Sequence, residues 1–184
     1  MGHKHSKADI LAAALAAAFD DGLSRLTYGR IAKRTGISDR IVVYYFPSKE
    51  DLIGEVLFAV GGELQETLVR AFSAPAVDHV ALARAAWPVL SRPEADRVFA
   101  LFFEANGLAA AGLDPYRRLV PRLVEAWITW AAEFIDGPPA RSRAEAEAAI
   151  AVLDGLLLLR LLAGPAAAER AARRIGVVGS RRPH

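Results

Sequence analysis

The stretch from Thr27 to Leu52 constrains the fold more than any other part of the chain. Thr27 can cap a short helix over 28–35, which Gly36 can close. Ser38 can cap another over 39–45, because Pro47 disfavours helical geometry at Phe46. Two short helices that cross closely need a small residue at the contact, and Ala32 supplies it. Four residues later the chain must turn sharply, and Gly36 tolerates the left-handed conformation this requires. Ile31, Ile37 and Val42 then plug the crossing. The spacing Ala32, Gly36, Val42 is that of a helix-turn-helix. In so alanine-rich a chain the Ala-x-x-x-Gly fragment alone says little, but the whole set with its two caps is specific.

The same residues carry a family resemblance. Thr27-Tyr28-Gly29-Arg30-Ile31-Ala32, then Gly36-Ile37-Ser38, then VVYYFPSKEDL from Val42 to Leu52 resemble the signature of the TetR-type transcriptional repressors. Ile10, Ala14, Phe19 and Gly22 match the preceding helix, so the resemblance covers about the first 57 residues. Beyond them it rests on size, helix count and the phrase Leu153-Asp154-Gly155-Leu156. Arg30 stands where the family often has an acid, Asp39-Arg40 replaces a usual Lys/Arg-Gly pair, and Val43 replaces a frequent aromatic. The resemblance implies a regulator, by default a repressor, binding a palindromic double-stranded DNA operator as a homodimer. A small, mostly apolar effector would release it.

By resemblance, Thr27, Ser38, Tyr44 and Lys49 correspond to positions that touch DNA phosphates, and Tyr28 is grouped with them. Hydroxyl and ammonium groups beside exposed backbone N–H groups at helix starts suit an anion. Arg40 and Tyr45 are assigned to base edges, since arginine can donate two hydrogen bonds to guanine in the major groove. Ile41 suits a thymine methyl. Asp39 either accepts from cytosine or caps its own helix, and capping is favoured. One of the rings of Tyr44 and Tyr45, at least, is expected in the core.

The rest of the chain reads as all-α. Alternating apolar and polar runs are missing, and Ala, Leu, Arg and Glu dominate. Ser6 with Asp9 forms a capping box for a first helix ending near Asp21 and stopped by Gly22. Ser48 with Asp51 forms another and opens a long amphipathic helix, expected to break at Ala74-Pro75. Further helices are expected over 77–90, 94–111, 115–135 and 143–162, with a short one after Pro165. Asp114 should cap ahead of Pro115, and Pro121 should kink or split its helix. About nine helices result. They divide into a helix-turn-helix domain over 1–47, a ligand-binding and dimerisation domain over 48–176, and a basic tail over 177–184.

A two-turn recognition helix touches few base pairs, so a two-fold site and a dimer seam are needed. The segment 150–163 is 14 residues of mostly apolar character broken by Asp154 and Arg160, too short for a membrane span of roughly 20. Its leucines cover most of the helix circumference, so it must be buried on two sides. Ile150, Leu153, Leu157 and Leu161 are assigned to the seam. Phe99, Phe102, Phe103 and Asn106 share one helix face, and Trp127, Trp130 and Phe134 share another. With Trp87 they are expected to line an apolar cavity having Glu104 and Asn106 as polar anchors, and the ligand is cationic if Glu104 is buried and ionised. Gly61-Gly62 in the long helix is a hinge or merely a weak spot.

Charge adds little beyond direction. Residues 1–50 hold eight Lys/Arg against five Asp/Glu, the remainder fifteen against sixteen, and five arginines follow Glu169. Basic ends on a near-neutral body suit a polyanion partner. Without cysteine there is no disulfide, thiolate nucleophile or Cys-based metal site, which suits a reducing cytosol. No signal peptide or membrane span is visible, so a cytoplasmic location with no membrane partner is expected. Of four histidines, His3, His5 and His184 lie at the termini and His79 has no partner at metal-ligand spacing, so no metal site is expected. Asp20-Asp21 and Glu145/Glu147 read as solvated helix charges. No Gly-rich phosphate loop follows a strand, so no enzyme activity and no cofactor are expected.

Overall fold

The computed structural model describes residues 6–179, so Lys4, His3, His5 and His184 lie outside it. Its helices are α1 (Lys7–Asp21), α2 (Tyr28–Thr35), α3 (Asp39–Tyr45), α4 (Lys49–Val69), α5 (His79–Leu90), α6 (Pro93–Ala110), α7 (Tyr116–Ala132), α8 (Pro139–Ala163) and α9 (Pro165–Arg174). Extended pairing among the described residues is one isolated parallel bridge, Ala76 to Ile135. None of the helices is long and apolar enough to cross a membrane.

Helix starts follow the local chemistry. Ser6 accepts from the Asp9 N–H while the Asp9 side chain accepts from the Ser6 N–H, a complete capping box. Ser48 and Asp51 repeat it at 3.0 and 3.1 Å. Such caps are worth about 1 kcal/mol each. Asp78 caps α5 by accepting from the Ala81 N–H at 2.8 Å. Several boundaries differ from the sequence expectation. Helix α4 stops at Val69, before Ala74-Pro75. Helix α8 starts at Pro139, because Pro fits a helix's first turn, where its missing N–H costs nothing. Pro121 does not split α7, which continues to Ala132.

The chain forms two compact units. One comprises the residues up to Glu63 with Leu101–Pro121; the other comprises Leu64–Ala100 with the residues from Arg122 onward. The boundary expected after residue 47 therefore falls inside the first unit. That unit buries Ile10, Leu23, Leu26, Ile31, Val42, Phe46, Leu52, Ile53 and Leu57, almost wholly closed to solvent. At about 1.5–3 kcal/mol for each large apolar side chain, this is the main force holding the short helices together.

In the second unit α8 packs against α5 and α9. A core of Ala76, Leu82, Ala131, Ile135, Ala146 and Ala149 is flanked by Phe72, Ile128, Trp130, Phe134 and Ile150. Buried Arg160 grips Asp96 of α6 with two nitrogens, at 2.5 and 3.0 Å. Glu145 accepts from the His79 N–H at 2.8 Å and contacts its ring Nδ1 at 2.6 Å, which holds its carboxyl below the usual range. Val177, expected in the basic tail, is buried with its N–H bonded to the Ala172 carbonyl at 2.9 Å. The ordered body thus runs past α9, and residues 180–184 of that tail lie outside the described residues.

Candidate nucleic-acid interface

Helices α2 and α3 are joined as the spacing requires. Thr27 Oγ1 accepts from the Arg30 N–H at 3.3 Å, and Thr35 Oγ1 donates to the Ile31 carbonyl at 2.9 Å. Gly36 adopts φ 70°, ψ 24°, and its N–H and that of Ile37 both reach the Ala32 carbonyl. An L side chain would be strained in that left-handed conformation. Ile31, Ala32 and Val42 are buried, so the crossing is closed where the sequence placed it.

Val42 is the one buried residue of α3, which leaves most of the helix surface free. Arg40 and Tyr44, four residues apart, share the outward face, with Tyr44 at 78% exposure. Ile41 and Val43 flank it at 41% and 40%. Neither tyrosine is in the core, against expectation. Tyr45 is half-buried and meets the Tyr44 ring edge-on, centroids 5.1 Å apart. Phe46, at the end of α3, takes the core position instead. Ser38 stands at the N-cap of α3 without a side-chain capping bond, so its exposed hydroxyl is free for another acceptor.

Charges around this surface divide into paired and open ones. Arg30 is paired with Asp21 at 2.6 Å, Arg34 with Asp20, and Lys7 with Glu55. Lys33, Arg40 and Lys49 make no ion pair among the described residues and are exposed or at the surface. The Asp39 carboxylate lies 3.5 Å from where a Cβ on Gly29 would stand, so it is turned onto the first turn of α2. Tyr28 does not fit its expected role in this conformation. Its hydroxyl is buried without a hydrogen-bond partner, and burial followed by the Asp51 charge raises its pKa.

Contacts distant in sequence hold this unit together. Both oxygens of Glu104, on α6, accept backbone N–H groups, from Leu23 at 2.8 Å and Ser24 at 2.9 Å. Tyr116 donates to the Leu23 carbonyl at 3.0 Å; burial, then the Glu104 charge, pushes its phenol up to about 12. Gly22, at φ 86°, permits this grip, since a Cβ there would stand 2.9 Å from a Glu104 oxygen. Arg118 similarly holds Glu50 of α4 at 2.8 Å. Glu104, expected to anchor a ligand, is therefore occupied as a clamp. Glu104→Ala should lower stability by about 1–3 kcal/mol by stranding the Leu23 N–H, with Glu104→Gln closer to wild type. Thermal melts that coincide for all three proteins would refute the clamp.

The other expected pocket residues are distributed between the units. Phe102, Phe103 and Asn106 belong to the first and are half-buried. Trp87, Phe99, Trp127, Trp130 and Phe134 belong to the second. Trp87 is buried and donates its indole N–H to Glu169 at 3.2 Å. Trp130 lies 5.2 Å from Trp127, 4.9 Å from Phe134 and 5.9 Å from Phe72, a contiguous aromatic cluster beside the core.

Helix α8 has two distinct apolar faces. Leu153 and Leu157, assigned from sequence to the dimer seam, are buried within the single chain and point to its own core. Ile150 and Leu161 are half-buried at the margin. The exposed face instead carries Ala151, Gly155, Leu158 and Leu162, a 4-3-4 spacing that keeps them in one stripe. A helix apolar all round does not say from sequence which leucines face which way.

Asp154 is half-buried at the edge of that stripe and forms no ion pair among the described residues. Burial alone pushes its carboxyl from 3.8 to about 6. The folded chain then holds this proton more tightly than the unfolded chain, so stability falls as pH rises from about 4 to about 6 and stays low above. Asp154→Asn should flatten that slope and raise the melting temperature at neutral pH. Melts across the window with the wild-type slope intact would refute it.

Comparison with known proteins agrees with this geometry. Residues 10–56 match the family model of bacterial regulatory proteins of the tetR family. No curated protein sequence matches the chain. A transcriptional regulator from Rhodococcus sp. Rha1 shares the fold with a TM-score of 0.66 at 22% identity, over 94% of each chain. A TetR transcriptional regulator from Legionella pneumophila does so at 0.65 and 21%, over 95% of this chain and 97% of that one. The multidrug binding protein EbrR, in complex with proflavin, aligns at 0.65 and 24%, over 92% and 97%. The helix-turn-helix lies inside the segment that matches the tetR family model, and these solved structures share the fold along nearly the whole length of the chain.

Proposed function

We propose that this chain is a transcriptional regulator of the tetR type, a ligand-released repressor that binds a palindromic operator as a homodimer. The observation that carries the reading is the open outer face of α3, with Arg40 and Tyr44 outward and Val42 anchoring the opposite side. A helix held by one side has the other free to enter a major groove. Thr27, Ser38, Tyr44 and Lys49 serve the phosphates; Arg40, Tyr45 and Ile41 serve base edges. The exposed stripe on α8 supplies an isologous seam, because a two-fold axis pairs the same face from both copies.

The effector is a mostly apolar small molecule, taken up near the aromatic residues around Trp127 and Trp130. Proflavin bound to the structurally similar EbrR supports an aromatic-lined site for a flat ligand. Ligand binding favours a conformation whose two reading helices no longer match half-sites about 34–36 Å apart. Selection of genomic DNA fragments on the purified protein should enrich a discrete palindrome. On that operator, Arg40→Ala should cost roughly 1–3 kcal/mol and relax preference at one base pair, whereas Lys49→Ala weakens all sequences about equally and lowers the salt slope by about one. If neither substitution alters DNA affinity, the docking is wrong; an operator titration that no apolar ligand shifts would reject the effector.

A further inference from the structure

The outer surface of α3 has an unusual chemical make-up for a reading helix. One guanidinium, Arg40, is its strong hydrogen-bonding group, and around it lie Ile41, Val43 and the Tyr44 ring, all exposed. A carboxylate is present at Asp39, but it is directed away, 3.5 Å from the Cβ position of Gly29 on α2. The first turn of α2 has no acid of its own. Asp39 thus lies against the positive end of that helix, where a negative charge is stabilised. Accepting a hydrogen bond from cytosine would require it to leave.

Three apolar side chains of this seven-residue helix reach solvent, Ile41 at 41%, Val43 at 40% and Tyr44 at 78% exposure. Clustered exposed apolar groups mark an interaction surface. In the major groove the apolar partner offered by the four ordinary base pairs is the thymine 5-methyl group. Taking α3 as the DNA-reading element, we propose that this regulator chooses its operator largely by pyrimidine methyl groups: each half-site carries thymines facing Ile41 and Val43 beside a guanine held by Arg40, and Asp39 takes no part in base choice.

Uracil in place of thymine removes the methyl and leaves the pairing intact. An operator selected from random-sequence duplexes is resynthesised with uracil at each thymine in turn. At the two contacted positions in a half-site, wild type should lose about fourfold in affinity for each methyl removed. Ile41→Ala should bind thymine and uracil alike at one of these positions, and Val43→Ala at the other. Both residues are exposed, so the variants should melt as wild type does. Asp39→Asn should keep every base preference while binding all duplexes severalfold more tightly, since one negative charge near the phosphates is gone.

An operator bound equally with thymine or uracil overturns the proposal, as does an Ile41→Ala protein that retains the full thymine preference. A changed base preference in Asp39→Asn overturns the exclusion of Asp39 from readout. A pool that never converges on any sequence removes the DNA-reading assignment itself and the proposal with it.

Discussion

Phe46→Ala should cost the DNA-reading unit about 3–5 kcal/mol and abolish retention of DNA, although Phe46 faces no solvent and touches no operator. The side chain is 0% exposed, directly after α3, and the Lys7 ammonium lies 5.4 Å from its ring centroid. Residue 46 follows Val42 by one helical turn, so the two are successive pegs fixing the same side of α3. Val42 alone cannot hold a seven-residue helix, which is too short to persist without packing. The cavity left by alanine would therefore release α3. Amide exchange over α1 to α3 should rise sharply while the gross helical content falls only modestly. Tyr44→Ala gives the contrast: with 78% exposure it should leave the melt unchanged and lower DNA affinity alone. Should Phe46→Ala melt within about 1 kcal/mol of wild type, Phe46 is not the peg that the packing implies.

The parts legible in the sequence are those whose physics is local. Ser6–Asp9, Thr27–Arg30 and Ser48–Asp51 are bonded three residues apart, so the residue types at that spacing announce them. Gly36 likewise declares its own backbone requirement. For these reasons α2 and α3 fall on the expected residues. Glu104 on Leu23 spans 81 residues and Trp87 on Glu169 spans 82, and nothing in the local pattern marks either pair. The same gap explains why Glu104 reads from sequence as a ligand anchor: an acid within an aromatic stripe looks unpaired until its partner loop is brought to it. Prolines mislead in both directions, since Pro139 opens a helix and Pro121 sits inside one. The phosphate role of Tyr28 and the expected core place for Tyr44 or Tyr45 fail as local inferences because the depth of a ring depends on the neighbouring helices, Asp51 of α4 among them for Tyr28.

Two adjacent leucines in α8 should give opposite kinds of defect. Leu157 is 1% exposed and belongs to the core of its own chain, so Leu157→Ala should cost about 2–5 kcal/mol by opening a cavity. That loss is intramolecular, and the change in melting temperature should not depend on protein concentration. Leu158 is 41% exposed and Leu162 78%, on the stripe proposed to meet its two-fold mate. Leu158→Glu leaves the monomer core untouched but brings two carboxylates together across an isologous seam, where each also loses solvation. Sedimentation should report monomer at concentrations where wild type is dimeric. Because two linked reading helices gain from effective concentration, affinity for a full palindrome should fall by about 10²-fold or more, with half-site binding unchanged. A Leu158→Glu protein that stays dimeric would move the seam off this stripe. The half-buried margin carrying Ile150 and Leu161 would then be the remaining apolar surface of α8 on which to look for it.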